Sequence, residues 1–165
     1  MIDTPRKSCF PPVVNSGTHI LILGSLPGDA SLTLQQYYGH RQNKFWELIG
    51  AVINVDLRPL PYDDRLQRLL EQGVGLWDVI AEADRKGSLD SAIRNEAINQ
   101  LTALIASLPE LKVIAFNGGT AAKIGRRQLS HLTHQYTLLD LPSSSPAYTL
   151  AYPAKLAGWM TLRSS

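Results

Sequence analysis

Three short segments of small and polar residues each follow an apolar run of the sequence. They are GSLPGDAS (24–31), FNGG (116–119) and LPSSSPA (141–147). Glycine and serine in such segments expose backbone N–H groups and small hydroxyls, which suit close approach to phosphate oxygens. The same composition is also typical of ordinary tight turns. One segment alone would favour the turn interpretation, but three together, one with consecutive serines between prolines, favour a binding site.

A fourth segment, YYGHRQNKFW (37–46), places two tyrosines, a histidine, basic residues and an asparagine just before an apolar helical pattern. An aromatic side chain beside a turn of small residues is what a pocket needs to stack a flat base. Asn43 stands where a helix cap is expected, and capping is the alternative interpretation of this residue. His40 has no neighbour that distinguishes it from an ordinary loop histidine. The segment indicates either a base pocket or a capped helix.

Four apolar runs predict the strands that must position these segments, and they cover residues 19–24, 75–80, 111–116 and 136–141. Apolar residues at spacings of three and four predict helices. These helices cover residues from about 43 to 53, 62–72, 90–107, 120–128 and 153–162. Strands that alternate with helices predict a parallel sheet covered on both faces, in which the loops at the carboxyl ends of the strands share one crevice. We expect an irregular arm over residues 1–17 and a single domain over residues 18–165.

The composition limits the class of protein. The chain has 165 residues, of which 44% are hydrophobic and 18% charged, so it has enough apolar material for a core and does not resemble a disordered chain. Its net charge of +2 is compatible with a nucleic-acid partner but does not predict one. Cys9 is the single cysteine, which excludes an intramolecular disulfide and a multi-cysteine metal site. The sequence has no secretory signal and no apolar run long enough to span a membrane, so we expect a cytoplasmic protein without a metal or cofactor.

The ordered set of segments resembles the uracil-DNA glycosylase superfamily, and within it the hypoxanthine-DNA glycosylase branch. GSLPG after a first strand, YYGHRQNKFW about ten residues later, FNG after a third strand and LPSSSPA after a fourth carry the resemblance, over residues of about 18 to 160. The resemblance implies a three-layer α/β/α fold with a central four-stranded parallel sheet. It also implies a monomeric DNA repair enzyme that flips a deaminated base out of DNA and hydrolyses its N-glycosidic bond.

One departure within the first segment identifies the branch. The main uracil branch carries an aspartate at the position of Leu26, and the mismatch-specific and single-strand-selective branches carry an asparagine. A leucine can neither polarise water nor accept a hydrogen bond, so ordinary uracil excision is not expected. In the hypoxanthine branch the essential amide lies further along the chain, and the resemblance assigns it to Asn43 as the catalytic residue.

The resemblance also assigns the residues that contact the substrate. It makes Tyr38 the stacking aromatic, and it makes Asn117 the residue that reads the edge of the base. The first segment contributes further base contacts, at Gly24, Ser25 and Leu26. The last segment and one lysine would contact the minor groove and the DNA backbone, and these residues are Pro142, Ser143, Ser144, Ser145 and Lys44. Leu141 replaces a histidine of the main uracil branch, so one polar contact to a pyrimidine is absent.

Several alternatives stay open at this point. Arg41 and Lys155 are further phosphate contacts or ordinary solvated charges. Asp29 could assist the attacking water or simply belong to a turn, and Asp78 and Asp140 lie near strand ends from which they could enter the pocket.

Other functions are also compatible with parts of the sequence. A uracil or mismatch-specific glycosylase of the same superfamily is the nearest one. A serine hydrolase with Ser25 as nucleophile and His40 or His131 as base is another, although GSLPG is not the G-x-S-x-G elbow. A non-catalytic nucleic-acid binder is a third, and the sequence lacks the G-x-x-x-x-G-K-[ST] loop of nucleotide hydrolases.

Overall fold

The computed structural model of the protein describes residues 6–165, except for the side chain of Asn95. Its strands and helices follow one another in this order: β1 (Arg6–Ser8), β2 (Ile20–Gly24), α1 (Asp29–Leu34), α2 (Phe45–Ile53), α3 (Tyr62–Glu71), β3 (Val74–Asp78), β4 (Ile80–Asp84), β5 (Arg94–Ile98), α4 (Leu101–Ala106), β6 (Val113–Asn117), α5 (Gly119–Gln128), β7 (Thr137–Leu141) and α6 (Tyr152–Trp159). None of the helices within residues 6–165 is long and apolar enough to cross a membrane.

The four strands β3, β2, β6 and β7 form the central sheet, in that order, and every neighbouring pair is parallel. The two middle strands have the sequences ILILG and VIAFN and are buried along their whole length. Apolar runs without polar alternation are typical of strands that are covered on both faces. The predicted fold, with a four-stranded parallel sheet between layers of helices, is confirmed.

Each face of the sheet carries its own apolar core. One core packs β2 and β6 against α2, α3 and α6, and its largest fully buried side chains are Phe45, Trp46 and Trp159. The other packs the opposite face of the same strands against α4 and α5, with Phe116 and Leu101 at its centre. These two cores hold the strands in register, so the loops that follow the strands are anchored at fixed positions.

The structure contains a second, smaller sheet that the sequence analysis did not predict. Strands β1, β4 and β5 pair antiparallel in the order β1-β4-β5. The predicted strand over residues 75–80 is in fact split between β3 and β4. The N–H groups of Val79 and Ile80 donate to the carbonyls of Gly24 and Ser25, so the junction between β3 and β4 is bonded to the end of β2.

The predicted helix over residues 90–107 is wrong in its first half. Residues Asp90–Ala92 form one 3-10 turn, β5 follows, and only α4 is helical. The apolar residues do recur at helical spacing, but β4 leaves an open edge whose backbone groups need partners, and β5 supplies them. Asn99 fixes the break, because its amide donates to the backbone carbonyl of Asp78 at 2.7 Å.

The expectation of irregular structure over residues 1–17 is wrong at Arg6–Ser8, which form β1. Further along, Val13 bridges to Leu76, and Phe10 and Val13 pack against the core. Residues 1–5 lie outside the described residues. The division of the chain at residue 17 stays a prediction.

Candidate active site

The loops that follow β2, β6 and β7 meet at one edge of the central sheet and enclose a cleft of about 690 Å³. The prediction that these three loops share one site is confirmed. The cleft is lined by ten of the eleven site residues expected from the sequence: Gly24, Ser25, Leu26, Tyr38, Asn43, Asn117, Pro142, Ser143, Ser144 and Ser145. Lys44 is the exception, because its side chain is exposed outside the cleft lining.

The first loop, residues 24–28, is held by a neighbouring loop that sequence reasoning did not identify. Residues 85–93 connect β4 to β5, and we call them the strap. Arg85 of the strap is buried, and its guanidinium donates to the backbone carbonyls of Leu26 and Pro27. Asp90 pairs with Arg85 at 3.3 Å and accepts a hydrogen bond from the Ser25 hydroxyl at 2.7 Å. The strap therefore fixes the path of the first loop.

These contacts change the interpretation of two residues. The hydrogen bond of the Ser25 hydroxyl goes to Asp90, so neither His40 nor His131 takes the place of a base beside it. Asp29 forms an ion pair with Lys7 and is absent from the lining of the cleft. Its backbone N–H donates to the Ser88 hydroxyl of the strap at 2.9 Å. Asp29 belongs to the anchoring of the first loop.

Asp78 lies at the floor of the cleft, at the end of β3 and directly beside Gly24 of β2. Its side chain is 4% exposed, and its Oδ2 atom has no hydrogen-bond partner among the described residues. The pKa of Asp78 is raised to about 7, mainly by burial and also by the charge of Asp90, while the charge of Arg85 opposes the shift. An isolated carboxyl in a low-dielectric site favours its neutral form. The sequence placed Asp78 near a strand end but gave no sign that it would be buried.

Tyr38 packs beside Asp78 in an unusual backbone conformation. Its φ angle is 53°, in the left-handed region that a tyrosine rarely adopts. Its ring stacks on Phe45 with 3.9 Å between the ring centroids, and its hydroxyl is buried without a partner among the described residues. Burial is the main cause that raises the pKa of this hydroxyl, the charge of Asp78 is the second, and the nearby amide of Asn117 opposes them. One face of the expected stacking aromatic is thus already covered by the protein.

Asn43 lies in the cleft wall, directly before Lys44, the N-cap residue of α2, and its side chain bonds to the first turn of that helix. Its Oδ1 atom accepts the first N–H of α2, from Phe45, at 3.0 Å. That bond occupies one of the two acceptor positions of the amide oxygen and fixes the orientation of the side chain. Arg58 supports the same turn by donating to the backbone carbonyl of Asn43 at 2.9 Å.

Asn117 is bonded to the last loop, residues 142–148. Its Oδ1 atom accepts the N–H of Ser144, and its Nδ2 atom donates to the Ser144 hydroxyl, both at 2.9 Å. The backbone N–H of Lys44 donates to the carbonyl of Ser144, so the segment that carries Asn43 is joined to the same point. The amide that the resemblance assigns to base recognition therefore holds two loops together.

Lys155 and Trp159 of α6 complete the support of the last loop. The Lys155 ammonium donates to the Ser145 carbonyl at 2.9 Å and lies 5.5 Å from the centroid of the Tyr148 ring, while the side chain is only 3% exposed. Burial lowers its pKa, and the neighbouring charge of Lys44 lowers it further. Trp159 donates to the carbonyl of Pro142 at 2.8 Å. Lys155 is thus a buried support of the loop, which disagrees with its interpretation as a phosphate contact.

Comparisons with known proteins agree with this geometry. The family model of the uracil DNA glycosylase superfamily matches residues 11–163. A hypoxanthine DNA glycosylase of Methanosarcina barkeri is 42% identical over 154 residues, which cover 93% of this chain and 96% of the relative. A hypoxanthine DNA glycosylase of Methanosarcina acetivorans is 43% identical over 141 residues, which cover 86% of this chain and 87% of the relative.

A solved structure matches nearly the whole chain. It is the solution NMR structure of a Methanosarcina acetivorans protein described as a candidate uracil DNA glycosylase. It superposes with a TM-score of 0.86 at 38% identity and covers 97% of this chain and 98% of the neighbour. By its match to the family model, its curated relatives and its fold, the chain belongs to the uracil DNA glycosylase superfamily and is a DNA glycosylase.

Proposed function

We propose that the chain hydrolyses the N-glycosidic bond of hypoxanthine in DNA and leaves an abasic site. The names of the two curated relatives support this substrate. The observation that carries the proposal is the composition of the cleft. Leu26 occupies the first-loop position of an acid or amide in the other branches, it is buried, and the amide of Asn43 faces the same cleft from another segment.

Hydrolysis of the N-glycosidic bond requires a site that stabilises two charges and positions a water molecule. Cleavage of the bond makes an oxocarbenium-like sugar and an anionic base. Residues 24–28 line the cleft, and we propose that backbone N–H groups of this loop, other than at Pro27, which has none, stabilise the departing base. Such donors are each worth about 3–4 kcal/mol when they contact a developing anion. The strap holds these groups at fixed positions through Arg85 and Asp90, which is the preorganisation that electrostatic stabilisation requires.

Asn43 orients the attacking water in this mechanism. Its amide oxygen is fixed by the N–H of Phe45 and keeps a second acceptor position for a water proton. A neutral amide is a weak base, so stabilisation of the leaving base and of the sugar supplies most of the acceleration.

The DNA contacts follow from the rim of the cleft. Extrusion of a nucleotide costs a few kcal/mol, and less for a poorly paired base, so we expect inosine opposite thymine to be cleaved faster than a well-paired inosine. The last loop would press on the DNA backbone, with the exposed Lys44 beside it as a phosphate contact. We also propose that the enzyme acts as a monomer in the cytoplasm, without a metal or cofactor.

The test of this function is a panel of oligonucleotides that carry hypoxanthine, uracil or xanthine, treated with alkali to reveal abasic sites. We expect hypoxanthine to be released fastest. Failure to cleave the hypoxanthine strand, with release of uracil instead, would overturn the substrate assignment.

The role of Asn43 is tested separately with two variants. Asn43→Ala should abolish base release, and Asn43→Ser should do the same although its hydroxyl can still cap α2. Thermal unfolding should show a loss of about 1 kcal/mol for the alanine variant and less for the serine variant. Full activity of Asn43→Ser would remove Asn43 from catalysis and leave it a helix cap.

A further inference from the structure

The floor of the cleft holds two buried polar atoms that the fold does not use. They are Asp78 Oδ2 and the Tyr38 hydroxyl, and neither has a hydrogen-bond partner among the described residues. Both side chains lie next to Gly24, where an added Cβ atom would stand 2.7 Å from the other carboxyl oxygen of Asp78, Oδ1, and 3.1 Å from the Tyr38 oxygen. The glycine therefore leaves a carboxyl and a phenol side by side in the wall of the cleft.

An orphaned buried carboxyl needs an explanation, because a polar group that is removed from water without a partner destabilises the fold. Arg85 is the nearby cation, but its guanidinium is directed to Asp90 and to the carbonyls of the first loop. The Asn99 amide donates to the backbone carbonyl of Asp78 and not to its carboxyl group. Asp78 lines the cleft, so its carboxyl lies next to whatever occupies the cleft.

We propose that Asp78, rather than Asn117, binds the N1–H and C6=O edge of the flipped hypoxanthine, and that it does so as a neutral carboxylic acid. The inference rests on the proposed function. The carbonyl oxygen of the acid accepts N1–H, and its hydroxyl donates to O6, so both polar atoms of the base edge are paired. Asn117 keeps one donor and one acceptor position beside its two bonds to Ser144, but those bonds orient its amide towards the last loop.

The charges around Asp78 make this contact depend on pH. Asp90 and Arg85 of the strap face it, as do the ionisable groups Tyr37, Tyr38 and Cys9. Burial dominates and raises the pKa of Asp78 to about 7. Below this pH the acid is neutral and pairs with the lactam edge, whereas above it the carboxylate would face the lone pairs of O6. Base release should therefore decline as the pH rises through 7.

A neutral acid can also form the reverse pair with adenine, by donating to N1 and accepting from the amino group. Asp78 therefore does not reject adenine by itself. The lower energy needed to extrude a poorly paired inosine then contributes the remaining discrimination.

The experiment compares single-turnover release of hypoxanthine by the wild type, Asp78→Asn and Asp78→Leu from about pH 5 to about pH 9. An amide presents the same acceptor and donor as the neutral acid at every pH. We expect Asp78→Asn to stay active and to lose the alkaline decline, and Asp78→Leu to fold but to release the base about a hundred-fold more slowly or worse. Asp63→Asn, an exposed residue of α3, is the matched control for the removed charge and should keep the wild-type profile.

The outcomes separate this inference from the proposed function. Wild-type release of hypoxanthine with an unchanged alkaline decline in Asp78→Asn would overturn the role of Asp78 and leave the function intact. Wild-type rates in Asp78→Leu would overturn it as well. Absence of hypoxanthine release by the wild type at every pH would overturn the proposed function itself.

Discussion

The two walls of the cleft are held in different ways. Charged side chains hold the first loop, through Arg85, Asp90 and the ion pair of Lys7 with Asp29. Within residues 6–165, the last loop is held without ion pairs, by the amide of Asn117 on Ser144, the indole of Trp159 on Pro142 and one cation, Lys155, on the Ser145 carbonyl. The difference has a physical consequence, since ion pairs respond to pH and salt whereas neutral hydrogen bonds do not. The charges that shift the pKa of Asp78, on Asp90 and Arg85, both lie in this charged wall.

The largest effect is expected from the charged wall. Arg85→Met should lower the free energy of unfolding by about 3 kcal/mol, because it leaves the carbonyls of Leu26 and Pro27 and the Asp90 carboxylate without their partner. Chemical denaturation measures this loss. Arg94→Ala is the control, since Arg94 is exposed and bonds only to carbonyls within its own turn. Equal stability of Arg85→Met and the wild type would show that the first loop is held by other contacts.

The neutral wall should respond less and without pH dependence. Asn117→Ala should cost about 2 kcal/mol through the loss of its two hydrogen bonds to Ser144, and this loss should be the same in acid and alkaline solution. A double-mutant cycle with Ser144→Ala should show strong coupling, because the two side chains share one interaction. Additive losses, or a loss that varies with pH, would contradict the contrast between the walls.

The smallest expected effect concerns Lys44 and Lys155, the two lysines at the last loop. It is measured as the salt dependence of DNA affinity. Lys44→Met should reduce the slope of log affinity against log salt by about one, as expected for a phosphate contact. Lys155→Met should leave that slope unchanged, because the buried ammonium is directed to the Ser145 carbonyl. Reduction of the slope by Lys155→Met would restore its interpretation as a phosphate contact.

The sequence was sufficient for the features that depend on local pattern. The run HILILG and the strand before FNGG are apolar without alternation, so they predict buried parallel strands, and the crevice rule then places their loops together. The helix prediction for residues 90–107 is wrong in its first half, although Ile93, Ala97 and Leu101 recur at helical spacing. This segment pairs with β4 instead, and the local sequence does not show that β4 needs a partner strand.

The site was less predictable because its contacts join distant parts of the chain. Ser25 and Asp90 are 65 residues apart, and Arg85 reaches back 58 residues to Pro27. Nothing near Asp78 in the sequence indicates that β2 and the tyrosine segment would bury it. The family resemblance located the cleft and placed Asn117 in it, and the role of Asn117 in base recognition stays a prediction. The hydrogen bonds between Asn117 and Ser144 join residues 27 positions apart and could not be predicted from the sequence.

The short strand β1 supports one wall of the cleft through Lys7. Lys7 is 7% exposed and contacts both Asp29, just beyond the first loop, and the Gly87 carbonyl of the strap, so it joins the two pieces of backbone that shape one side of the base pocket. Removal of the residues ahead of Cys9, or a bulky fusion at that point, would therefore disturb the wall of the cleft.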